Sequence, residues 1–448
     1  MAAIAQLPLA QAIPSFAIPL DGSTSDYDDF LTLLGDARFV LLGEASHGTH
    51  EFYRERARIT RRLIEEKGFG AVAIEGDWPD AYRVNRFVCR PQPGEEAVDA
   101  LEGFRRFPSW MWRNADVLDF VGWLRDHNAR LGKHARPVGF FGLDLYSLHA
   151  SMDAVIEYLG KVDRGAADRA RERYACFDHF GPDVEAYAYA THLGLQASCE
   201  RDVVDQLVEM RRRAHELTMR DGRLAEDEYF YAEQNARVAA NAEHYYRTML
   251  DAEIPSWNLR DTHMTETLER LAAHIDRRDP TAKIVVWAHN SHVGDARVTE
   301  MARRGEINLG QLMRQGYPRE TITLGFTTYM GTVTAASVWH GAPERKTVRP
   351  ARHDSFEWML HAAGAPRFYF DLRAHRHDVS DAHEARLGRA IGVIYRPETE
   401  RQSHYFASTL IYQFDALVHV DVTRAVEPLE KAPEWGAGEV PETYPSGV

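Results

Sequence analysis

Phe39-Val40-Leu41-Leu42-Gly43-Glu44-Ala45-Ser46-His47-Gly48 opens with four apolar residues and breaks at a glycine into a polar turn. A short run that is apolar throughout, without alternation, is buried on both faces, as in a parallel sheet covered by helices. The same form recurs at Ala71-Val72-Ala73-Ile74, Val138-Gly139-Phe140-Phe141 and Ile284-Val285-Val286-Trp287. Later candidate strands are Thr321 to Leu324, Phe368 to Phe370, Ile391 to Tyr395 and Leu417 to Val422. Helical patterns lie between them. One runs from His50 to Lys67 and is closed by Gly68 as a C-cap; a second falls in Ser109 to Leu131. From about Met152 to Arg278 the chain is charged, alanine-rich and almost wholly helical in pattern, with Pro182 and Pro255 as breakers. The expected class is α/β: a mainly parallel central sheet covered by helices, with a large helical lobe. One domain is expected over about 25–425, its lobe at about 150–280, and a peripheral tail rich in Pro, Gly and Glu at 426–448.

The totals narrow the function classes. With 53 basic and 67 acidic side chains the net charge is -14, which argues against nucleic acid or an anionic membrane as partner. The apolar start, Met1 to Leu20, carries no basic residue before Arg38, so it lacks the positive region of a secretory signal. No run approaches the roughly 20 apolar residues of a membrane span. A cytoplasmic location is expected. Cys89, Cys176 and Cys199 form no CxxC pair and read as small buried hydrophobes, with no disulfide framework.

The polar residues are placed where chemistry is usual. Strand one runs into Glu44 and His47, strand two into Glu75, Asp77 and Trp78, strand three into Asp144, and strand four into His289 and His292. In open α/β sheets ligands bind outside the carboxyl ends of the strands. Arg56 is a further anomaly. It falls on the stripe of Phe52, Ile59 and Leu63 that faces inward, and an inward arginine needs a partner. Glu44 and Glu75 are the carboxylates on offer.

Standard nucleophile and cofactor motifs fail. Around Ser46 glutamate occupies the place of the first glycine of G-x-S-x-G, so Ser46 reads as a turn or cap residue. There is no P-loop, and Gly68-Phe69-Gly70 precedes a strand instead of following one. A metal set could be assembled from His289, His292, Glu44, Glu75 and Asp144. His375-Arg376-His377 is a weaker candidate, set in a charged loop. What remains is general acid/base chemistry on water: His47 as base, Glu44 or Glu75 fixing its tautomer, and Arg56 or His289 as donor to a developing oxyanion. No metal and no cofactor are expected. A metal-dependent hydrolase or phosphoesterase at the same site, and a non-catalytic binder of a small ligand, stay open. The aromatics Trp78, Trp110, Trp112, Tyr146, Trp257 and Tyr329 suit a ring-bearing ligand or simply the core.

At these residues the chain resembles the erythromycin esterase family. The likeness runs through Leu41 to Gly48 and the arginine-rich helix after it, Ile74-Glu75-Gly76-Asp77-Trp78, Gly142-Leu143-Asp144, and Trp287 to Val293. It extends over roughly Asp29 to Thr423, including Ile394 to Pro397 and Phe414 to Ala416. The Gly-Asp-Trp-Pro continuation is similar to an esterase-like subgroup more than to the resistance enzymes. The resemblance implies metal-independent hydrolysis of an ester or a macrolide lactone by activated water, and so antibiotic resistance as one possible role. It implies His47 as general base, with Glu44, Arg56, Glu75, His289 and His292 as further active-site positions. His292, Asp144, Asp77 and Trp78 are expected to contact substrate. The expected partner is a small ester or lactone; the oligomeric state is left open.

Overall fold

The computed structural model describes residues 7–132, 135–181, 183–219, 223–250, 256–277 and 282–430. Pro182, Pro255 and most of the expected tail, 431–448, lie outside them. The chain divides into two compact units. The first comprises residues 1–72, 88–139 and 283–448; the second comprises 73–87 and 140–282.

The strands in chain order are β1 (Ile18–Pro19), β2 (Phe39–Leu42), β3 (Ala71–Asp77), β4 (Gly139–Asp144), β5 (Ile284–Trp287) and β6 (Thr321–Ala335). They continue with β7 (Glu344–Val348), β8 (Arg367–Asp371), β9 (Arg386–Arg389), β10 (Tyr405–Ser408) and β11 (Ala416–Thr423). In the first unit the sheet order is β1-β8-β11-β6-β2-β5. The pairs β11–β6, β6–β2 and β2–β5 are parallel, and β1–β8, β8–β11 and β6–β7 are antiparallel. The bases of β3 and β4 start in this unit, where Gly70 N–H donates to Lys283 O and Gly139 N–H to Gly70 O. All four residues of β2 and of β5 are buried, so the unbroken apolar runs mark strands covered on both faces. The α/β class with a mainly parallel sheet is therefore the observed one.

The helix His50–Lys67 ends where Gly68 adopts φ 71°, a left-handed turn that glycine enters without a Cβ penalty. Its stripe of Phe52, Ile59 and Leu63 is fully buried. The second unit is built mostly of helices: Leu148–Val162, Arg164–Tyr174, Val184–His192, Glu200–Arg212, Ala214–Thr218, Arg223–Thr248 and Ser256–Asp276. Its core packs Leu148, Val155, Leu159 and Val203 against Ala232, Ala236 and Ala239. The alanines let neighbouring helices approach closely. Among the described residues no helix is long and apolar enough to cross a membrane.

Four expectations change. Ile391 to Tyr395 is not a strand. Its backbone bonds instead to two loops: Ile391 N–H to Ala45 O, His47 N–H to Ile391 O, and Tyr395 N–H to Ala336 O. Ser109 to Leu131 splits into Ser109–Met111 and Ala115–Arg130. Asn114 makes the break by capping the second helix through Val117 N–H while its amide donates to Trp110 O and Met111 O. Cys176 and Cys199 are joined in a disulfide, their Cα atoms 5.9 Å apart, because the fold juxtaposes residues that no motif spacing linked; Cys89 is half-buried outside that bridge, its Sγ donating to Val138 O. Residues 426–430 are tied down, with Val426 N–H on Gly48 O and Leu429 N–H on Arg113 O.

Candidate active site

The loop after β2 is shaped by close backbone approaches. A Cβ at Gly43 would lie against Asn290 Oδ1, and one at Gly48 against Thr334 O, so both positions need glycine. Asn290 stitches this loop to its neighbours: its N–H donates to Glu44 O and its amide to Phe326 O at 2.7 Å. Tyr53, on the following helix, donates its hydroxyl to His47 O at 2.8 Å. Ser46 bonds the Thr49 hydroxyl within the turn, the turn role read for it. The result is a rigid platform for the side chains of Glu44 and His47.

Glu44 stands between a guanidinium and an imidazole. Its Oε2 accepts from Arg56 Nη2 at 2.6 Å, and its Oε1 meets His47 Nδ1 at 2.9 Å. Glu44 and Arg56 are 1% and 0% exposed, whereas His47 keeps 7%. With Glu44 Oε1 as the acceptor, His47 carries its proton on Nδ1, which leaves Nε2 as its basic nitrogen. Arg56 lies with its guanidinium carbon 4.5 Å from the Tyr53 ring centre and 5.1 Å from that of Trp287. Sealed in this way, Arg56 holds Glu44.

His289 lies two residues past the end of β5 and caps the short helix Asn290–Val293. Its Nδ1 accepts the Ser291 backbone N–H at 3.2 Å and meets the Ser291 hydroxyl at 2.8 Å. An Nδ1 that accepts a backbone N–H leaves the ring proton on Nε2. His289 is thus the opposite tautomer to His47, and the two ring centres are 4.8 Å apart. His292 is buried on the same short helix.

Glu75, Asp77, Trp78 and Asp144 belong to the second unit. There Arg260, on the helix Ser256–Asp276, forks onto Asp144 with Nε–Oδ1 at 3.0 Å and Nη2–Oδ2 at 2.7 Å. The same Nη2 donates to Glu75 Oε1 at 2.8 Å. Burial works to lower the pKa of Arg260, but Asp144, Tyr146 and Glu75 together raise it well above its ordinary value. Trp78 packs among Tyr82, Phe141 and Phe230, and its indole N–H donates to Tyr231 O. Asp77 is buried at the end of β3. The loop at His375 is structural: Nδ1 bonds Asp378, and the ring stacks on Phe16. Arg260 escaped the sequence reading because nothing in its spacing separates it from the other arginines of a charged helical stretch. Asn290 and Ser291 lay inside a quoted motif, yet their work is visible only as hydrogen bonds.

Residues 64–423 match the model of the family described as erythromycin esterase. A Bacillus subtilis (strain 168) protein named as a candidate hydrolase, YbfO, is 23% identical over 386 residues, covering 80% of each chain. The Escherichia coli protein named erythromycin esterase type II is 23% identical over 354 residues, 75% of this chain and 80% of its own. The crystal structure of a Bacillus cereus protein superposes with a TM-score of 0.76 at 21% identity, covering 94% of this chain and 98% of that one.

Proposed function

This chain belongs to the erythromycin esterase family, a hydrolase family, and from that premise we propose that it cleaves an ester or lactone with water activated by His47. The observation that carries the proposal is two imidazoles with ring centres 4.8 Å apart and different partners at Nδ1, a carboxylate for His47 and a backbone N–H for His289; in this reading the partners put the base at Nε2 of His47 and a donor at Nε2 of His289. In this reading His47 takes a proton from water as the oxygen attacks the carbonyl carbon. The negative charge that gathers on the carbonyl oxygen is met by the His289 N–H. Glu44 steadies the imidazolium, and Arg56 holds Glu44 in place. Collapse breaks the acyl C–O bond, and His47 returns the proton to the leaving alkoxide, so a lactone becomes a hydroxy acid. No covalent intermediate is needed.

The donor chemistry favours this reading over a metal centre. Glu44 is already committed to a buried cation and to His47 Nδ1, and a dication beside Arg56 would meet like charge. In the same reading Glu75 is a further catalytic group, and His292, Asp144 and Asp77 contact the substrate. A macrolide-type ring is the substrate class to try first, because the Escherichia coli relative is named an erythromycin esterase. A cytoplasmic setting is part of the same proposal.

The test is a mass-spectrometric screen of macrolides, simple lactones and esters with wild type and His47→Ala, each with and without chelator. The expected result is a gain of one water by a substrate in both wild-type arms and not with the variant. Loss of activity with chelator and its return with a divalent ion would point to the metal-dependent reading. Tight binding without turnover of any ester would point to a binding protein.

A further inference from the structure

We infer that Arg260 is a positioning residue for hydrolysis, holding the strand-end carboxylates Glu75 and Asp144 side by side in one ionised arrangement; this rests on the hydrolase reading above. Three observations carry it. The guanidinium spans both acids, with its fork on Asp144 and Nη2 shared with Glu75 Oε1. Both acids are almost fully buried, Glu75 at 4% and Asp144 at 3% exposure, where two like charges cannot sit together unaided. The guanidinium is itself seated, its carbon 5.0 Å from the ring centre of Tyr146, whose hydroxyl lies 3.3 Å from that of Tyr245.

The ionisable surroundings agree. His263, one turn further along the same helix, is held between Asn241 and Thr267. Burial pushes its pKa down to about 3, helped by the charge of Arg237, so it is neutral near pH 7 and adds no cation. Tyr146 is buried and also neutral, its pKa raised well above the usual value chiefly by burial. Asp144 Oδ1 further accepts Leu145 N–H at 2.9 Å, which fixes the carboxylate plane that Arg260 grips. Lysine would keep the charge but not the planar fork that reaches both acids.

The experiment compares wild type, Arg260→Met and Arg260→Lys in two ways. The first is a 13C-carboxyl NMR titration of protein labelled at Glu Cδ and Asp Cγ, with Glu75 and Asp144 assigned through Glu75→Gln and Asp144→Asn. Arg260→Met should move at least one of the two midpoints upward by about one pH unit or more, as loss of a neighbouring opposite charge does; Arg260→Lys should move them less. The second is kinetics on a chromogenic p-nitrophenyl ester. A displaced carboxylate should cost about 10²-fold in kcat with KM little changed, with partial recovery in the lysine variant. Unmoved midpoints together with wild-type kcat in a folded Arg260→Met overturn the inference. If that variant does not fold, wild-type kcat and midpoints in Arg260→Lys overturn it instead. The titration needs no substrate, so a failed esterase reading leaves it intact and is told apart by the absence of turnover in wild type.

Discussion

At Arg56 two guanidinium nitrogens, Nε and Nη1, find no hydrogen-bond acceptor among the described residues. Their environment is aromatic instead, the faces of Tyr53 and Trp287, which attract a cation without withdrawing it from Glu44. Its side-chain hydrogen bond runs from Nη2 to Glu44 Oε2. Arg56→Met should destabilise the protein by about 3–5 kcal/mol, because it strands a buried carboxylate. Adding Glu44→Gln to that variant should recover part of the loss, and urea melts of the two variants check both. Equal stability of wild type and Arg56→Met would show that the pair carries no weight. The inward position of Arg56 and its partner Glu44 were legible in the sequence, since the stripe of Phe52, Ile59 and Leu63 runs through it. Its role as a holder was not, because which nitrogen faces which oxygen is a matter of orientation that spacing cannot express. The same limit applies to His289, whose tautomer is set by the N–H of Ser291.

Among the elements, the loop after β2 depends on glycine more than on any side chain it carries. Gly48 O accepts from both Thr334 N–H and Val426 N–H, and a Cβ there would collide with the Thr334 carbonyl. Gly48→Ala should cost about 1–3 kcal/mol and depress kcat, since the loop that carries His47 must shift. Gly122, inside the helix Ala115–Arg130, has nothing within 4 Å of a built Cβ. Gly122→Ala should gain up to about 1 kcal/mol from helix propensity with unchanged kcat. Thermal melts and rates for the pair check both statements; a tolerated Gly48→Ala would contradict the close-approach argument. Strands β2 and β5 were read to the residue because both faces are buried and the apolar runs are unbroken. Ile391 to Tyr395 looked the same in sequence but serves as a brace between loops. Its apolar residues answer to burial, and burial alone does not specify a ladder.

Across the whole molecule, buried neutral histidines link stability to pH. Burial pushes the pKa of His404 down to about 4 and that of His263 to about 3, against about 6.5 in an unfolded chain. The unfolded state thus binds more protons between these values. Stability is greatest above about pH 6.5 and falls as pH drops through about 4 and then 3. The denaturant midpoint should fall between pH 7 and pH 5; a flat profile would contradict it. The class of fold was legible because strand burial and helix periodicity are local signals. The disulfide between Cys176 and Cys199, and the grip of Arg260 on Glu75 and Asp144, were not. Both join residues far apart in the chain through packing that no local pattern encodes.

The account turns on the imidazole of His47 acting as a base. Its most direct test is kcat of His47→Ala on an ester found in the substrate screen, measured with and without added imidazole. The account predicts a loss of about 10²–10⁴-fold, partly restored by imidazole in proportion to its neutral form. A variant that keeps the wild-type rate would contradict it.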